Sequence, residues 1–124
     1  MINQILLYLA AFFTTLWGVA HLFPTKGVVA GFGGISEDNR NIITMEWIVE
    51  GVALIFIGVL VAVITMIDPL NYVSITVYRL SAGVLVILAI ISLLTGFKVN
   101  FLPFKLCPLI FTLSAVLLWL GVYL

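Results

Sequence analysis

The chain has 124 residues, of which 65% are hydrophobic and 8% charged, and its formal net charge is zero. Soluble domains average about 25% charged residues, and one of this size buries only about two-thirds of the surface its unfolded chain exposes. That excludes a water-soluble fold and leaves one membrane-embedded domain, with no room for a soluble module.

The first apolar span covers residues 5–23 and stops at Pro24. No Lys or Arg precedes it and no small-x-small cleavage pattern follows, so it reads as a retained span rather than a signal peptide. Residues 24–41 then form the longest irregular piece. Its first half, residues 27–34, is apolar and glycine-rich, and is expected on or in the membrane interface with protein or water satisfying its backbone. The glycines lack both phosphate-binding spacings, and no strand precedes them. In the second half, Ser36 is an N-cap signal, with Glu37 and Asp38 suited to the positive end of a helix dipole.

The second helix is therefore expected over residues 37–67, apolar from Ile42 and ended by Asp68 and Pro69. The third is expected over residues 70–97 and the fourth over residues 106–124. Each span approaches the roughly 20 apolar residues that cross a hydrocarbon core, and all exceed the about 9–11 of a transmembrane strand. The fold class is thus all-α: a polytopic integral membrane protein, a four-transmembrane-helix bundle, as a single domain over residues 1–124.

Lys26 and Arg40 lie between spans 1 and 2, and Lys98 and Lys105 between spans 3 and 4. The opposite side has only Asp68 in its loop and no basic residue near either terminus. This asymmetry predicts a multi-pass cell-membrane protein with both termini non-cytoplasmic.

Within this frame two carboxylates stand out. Glu46 and Glu50 are one helical turn apart, on one face of the second span, about 6 Å apart along its axis. An acid near the bilayer centre costs roughly 2.5–3.5 kcal/mol on insertion scales, and helix formation does not call for it. On the first helix, Ala10, Thr14, Trp17, Gly18 and His21 form a stripe that brings His21 to a depth similar to that of Glu46. Tyr72, Thr76, Arg79 and Gly83 form a stripe on the third helix, and Cys107, Phe111, Ser114, Leu118 and Gly121 one on the fourth. All four helices are expected to turn these faces to a shared interior.

Structural roles compete for each residue. Arg79 either snorkels to the headgroups or pairs with Glu50. His21 fits an interfacial or helix-to-helix hydrogen bond as well as a site. Trp17, Trp47 and Trp119 read as packing or belt residues. Cys107, the sole cysteine, has no disulfide partner within the chain and reads as an apolar filler. Gly51, Gly58 and Ala62 suit a close helix seam. The carboxylate pair resists its structural reading best, which makes Glu50, Glu46, His21, Arg79 and Cys107 the candidates for ligand binding or proton relay. A metal is disfavoured, because there is one His and no ExxH pattern of the di-iron bundles. No Ser–His–acid set, no CxxC and no basic aromatic stripe for nucleic acid occurs, so catalytic residues stay unassigned.

The run from Trp17 to Pro24, the glycine-rich stretch after it, and the run from Trp47 to Gly58 resemble the DoxX-like small membrane proteins. The resemblance covers the first half of the chain. It implies four helices, places Glu50, Gly51 and Gly58 on the family's second-helix pattern, and puts His21 where members carry His or Lys. It also implies association with membrane oxidoreductase systems, including thiosulfate–quinone chemistry. The layout alone is similar to the sterol-isomerase-like (EXPERA) domains. Three function classes follow. One is a subunit of a membrane oxidoreductase system that binds a quinone or relays protons. Another is a binder or carrier of a small lipophilic or cationic ligand, and the third is a non-catalytic membrane assembly protein. Besides the lipid bilayer, the expected partners are other membrane subunits or a second copy of the chain.

Overall fold

A computed structural model describes residues 2–124. It contains α1 (Gln4–Leu22), α2 (Thr25–Ala30), α3 (Glu37–Ile67), α4 (Tyr72–Leu94) and α5 (Leu102–Tyr123), with a 3-10 turn at Gly96–Lys98. All but α2 and the turn are long and apolar enough to cross a membrane. The protein is an all-α four-helix membrane bundle, as the periodicity and span lengths predict.

Local chemistry sets the boundaries. Asn3 caps α1 by accepting from the Ile5 amide, Ser36 caps α3 by accepting from the Asn39 amide, and Asn71 caps α4 by accepting from the Val73 amide. The α3–α4 connection is tightened twice. The Asp68 carboxylate accepts from the Leu70 amide, and the Ser74 hydroxyl donates to the Asp68 carbonyl at 2.6 Å.

Three expectations change. Part of the stretch read as irregular forms α2, in which helical hydrogen bonds satisfy the backbone. The fourth span starts at Leu102, because Pro103 sits in the first turn, where its missing N–H costs nothing. The polar stripe of α4 faces outward: Tyr72, Arg79 and Gly83 are exposed. The buried face of α4 is Ser74, Tyr78, Ala82, Leu85 and Ala89. Tyr78 fixes this rotation, since its hydroxyl pairs with Thr65 of α3 at 2.8 Å inside the bundle.

The helices form a ring in which α1 packs against α3 and α5, and α5 against α4, while the α3–α4 edge is the least packed. The α1–α3 seam is built from glycine. A Cβ on Gly18 would stand 2.8 Å from the Gly51 carbonyl oxygen, and one on Gly58 would meet the Thr15 hydroxyl and, at 2.8 Å, the Ala11 carbonyl oxygen. Only the absence of side chains lets the two backbones approach this closely. The termini and the Asp68 loop share one end of the bundle, here the terminal end. Lys26, Arg40, Lys98 and Lys105 lie at the other, the basic end.

Candidate functional site

Leu7, Leu54, Val61, Tyr78, Leu85 and Leu118 are each at most 1% exposed and fill the terminal half of the bundle. Beyond Leu54 the aliphatic core gives way to Phe111 and the open space beside it. The next residue one turn along the same helix toward the basic end is Glu50.

His21 is held there by its neighbours. α1 ends at Leu22 ahead of Pro24, so its last carbonyls have no intrahelical partner. The Thr25 hydroxyl donates to the Leu22 carbonyl at 2.6 Å, and the Trp47 indole N–H donates to the His21 carbonyl at 2.7 Å. The Trp47 ring also stacks on the His21 imidazole, with centroids 3.9 Å apart and planes 17° from parallel. Phe104 of α5 meets Trp47 edge-on at 5.6 Å. Trp47 therefore positions His21 in two ways, through its face and through its N–H.

The imidazole Nε2 reaches 3.4 Å from the Glu50 Oε2, within ion-pair range. The approach lacks hydrogen-bond geometry, and Nε2 stays buried with no hydrogen-bond partner. The contrast in exposure between the two groups matters. The His21 side chain is 8% exposed and that of Glu50 45%. A buried imidazole nitrogen without a partner carries a desolvation cost of about 1–3 kcal/mol, relieved by any donor or acceptor that enters beside it.

Space for such a group is present. A cavity of about 210 Å³ is bounded by His21, Glu50, Ser92, Thr95 and Cys107, with Leu88, Ile91, Phe104 and Phe111 as apolar walls. It spans the loose α3–α4 edge. A second cavity of about 320 Å³ lies on the other side of His21 and shares His21, Phe104 and Cys107 with the first. A third, about 650 Å³ and apolar, runs beneath α2 past Gly27, Val28, Gly31 and Phe32, and shares Pro24, Trp47, Phe101 and Phe104 with the second. The polar pocket thus adjoins a longer apolar space leading to the basic end. Pro108 adds to the polarity nearby, since proline cannot donate back to the Phe104 carbonyl.

Of the sequence candidates, the structure brings His21, Glu50 and Cys107 to one cavity. The Cys107 thiol donates to the Pro103 carbonyl at 3.4 Å. Glu46 is exposed and borders a shallow surface depression with Ile42, Ile43, Trp47, Val49 and Glu50, so that Glu50 touches both this depression and the cavity while Glu46 touches only the depression. Arg79 is not paired with Glu50: its guanidinium stands 5.6 Å over the Tyr123 ring at the terminal end. Ser92 and Thr95 carry no sequence signal for a site, because single hydroxyls in apolar helices usually bond their own backbone, as both do here. Trp47 had a readable signal. It lies three residues before Glu50, on the side of α3 that meets α1 at Gly51. Among the described residues, no three His, Cys, Asp or Glu side chains cluster as metal ligands. No family model, curated protein or solved structure matches the chain.

Proposed function

We propose that the protein binds the polar ring head of a small amphiphile at His21 and Glu50, with a quinone as the ligand class, and that these side chains exchange protons with it. The observation that carries this reading is the buried, unpartnered His21 Nε2 directed at a half-exposed carboxylate on the wall of a cavity. A quinone carbonyl accepts a hydrogen bond from an imidazole N–H, and its reduced hydroxyl donates to a carboxylate, so the pair serves both redox states. The adjoining apolar space suits a chain attached to the head. In keeping with the DoxX-like resemblance, the protein would act as a subunit of a membrane oxidoreductase system, its basic loops in the cytoplasm and both termini outside.

The test is titration of the purified protein in nanodiscs with ubiquinone-1, read by tryptophan fluorescence. Saturable quenching is expected, and it should be lost in His21→Leu and in Glu50→Gln. Unchanged quenching in both folded variants overturns the reading. A second reading, a binder of lipophilic cations, is favoured by one observation: among the described residues, Glu50 has no Lys or Arg partner. Tetraphenylphosphonium binding that depends on Glu50 but not on His21 would select it. If neither probe binds and Glu50→Gln fails to insert, the acid is structural and the assembly-protein reading takes over.

A further inference from the structure

At the terminal end, α4 and α5 frame a second feature that the His21–Glu50 site does not use. The Arg79 Cα lies about 10 Å inside the span, counted from Tyr72 at 1.5 Å per residue. Its guanidinium is directed back toward the end of α5, over the Tyr123 ring, and forms no ion pair among the described residues. Below it, a groove of about 320 Å³ runs along the α4–α5 seam, walled by Ala82, Gly83, Val86, Ala115 and Trp119. From Arg79 to Val86 is about another 10 Å toward the bilayer centre. At Gly83 an added Cβ would meet nothing within 4 Å, so the groove is open there.

A cation at the headgroup level above an apolar trough has the polarity of a lipid in that leaflet. We propose that this groove holds one anionic glycerophospholipid, its phosphate on Arg79 and one acyl chain along Gly83 and Val86. Charge complementarity selects this occupant over a second copy of the chain. Two-fold packing through the same groove brings like patches together, and with them two arginines. The nearest acid in the sequence, Asp68, already caps the Leu70 amide. The ring of Tyr123 beneath the guanidinium holds it near the interface, where lipid phosphates lie.

Native mass spectrometry of the detergent-purified protein, titrated with palmitoyl-oleoyl phosphatidylglycerol or the matching phosphatidylcholine, tests this. One phosphatidylglycerol adduct is expected to bind more tightly than the rest. Arg79→Gln should weaken it about fivefold, the effect of one basic residue near a membrane surface, and Arg79→Lys should largely restore it. Gly83→Leu fills the groove and should weaken both lipids, whereas Lys26→Gln, at the other end, should change neither. Unchanged phosphatidylglycerol affinity in Arg79→Gln or in Gly83→Leu overturns the proposal. So does a shift from dimer to monomer in Gly83→Leu, which would make the groove an interface between copies. If Arg79→Gln does not fold, Gly83→Leu alone decides.

Discussion

The two halves of the bundle use the same four helices differently. In the terminal half, Leu7, Leu54, Val61, Leu85 and Leu118 interlock, and the Thr65–Tyr78 hydrogen bond joins α3 to α4. In the basic half, α3 and α4 are bridged by a cavity rather than by side chains, and aromatic rings replace aliphatic packing. The difference separates two tasks. Lipid offers no hydrophobic drive for helix association, so the fold depends on close van der Waals fit, which the terminal half and the glycine seam supply. The basic half is then free to keep a polar pair and empty space, features that cost stability anywhere else.

If that division holds, the largest loss of stability should come from the seam. Gly58→Leu would force a side chain into the Thr15 hydroxyl and the Ala11 carbonyl, and backbone on both sides leaves little room to yield. A loss of about 3 kcal/mol is expected, at the upper end for overpacking, read as a lower midpoint in detergent unfolding. Gly83→Leu, on the outward face of α4, should leave that midpoint nearly unchanged. Equal losses in the two variants would remove the distinction between seam and surface.

The next effect concerns binding and should spare stability. Glu50→Gln should abolish saturable ubiquinone-1 binding while the protein remains folded, because the amide removes the charge facing His21. Glu46→Gln should weaken binding less, since Glu46 borders the outer depression and not the cavity. A larger effect at Glu46 would move the site onto the outer surface of α3. Trp47 sharpens the same comparison. Trp47→Ala removes both the stacked ring and the bond to the His21 carbonyl, and binding should fall about tenfold, the equivalent of about 1.4 kcal/mol. Trp47→Phe keeps a ring and loses only the N–H, so a loss of about 0.6 kcal/mol is expected. Identical affinities for the two variants would show that the ring plays no part in holding His21.

The spans, the Ser36 cap and the close approach at Gly51 and Gly58 were legible in the sequence, because each follows from a local rule: length, a side chain at a helix start, a missing Cβ. The inward face of α4 was not. In a membrane both faces of a helix are apolar, so a stripe of small and polar residues does not by itself mark the inner face. The rotation is instead set by Tyr78, whose hydroxyl needs Thr65. The meeting of His21, Glu50 and Cys107 was legible only as a shared depth. Which of two neighbouring acids faces the cavity depends on how α3 is rotated, and the glycine seam sets that rotation through contacts remote in sequence. The short α2 was hidden by Gly27 within it and the glycines that follow, which weaken helix propensity without preventing a six-residue helix that opens on Pro24.

The smallest predicted effect probes an unpaired polar group inside the packed half. Ser114 is 1% exposed and its hydroxyl has no hydrogen-bond partner, although it lies on the inner face of α5 between Phe111 and Leu118. A buried hydroxyl left unpaired costs about 1–3 kcal/mol, whereas an alanine methyl in its place costs almost nothing in volume. Ser114→Ala should therefore leave the unfolding midpoint unchanged or raise it slightly, and should not alter ubiquinone-1 binding, because Ser114 borders none of the cavities around His21. A clear loss of stability would mean that the hydroxyl is bonded, which at a site without a protein partner calls for a buried water. The terminal half would then be partly hydrated, and the contrast between a dry half that folds and an open half that binds would have to be redrawn one turn closer to the termini.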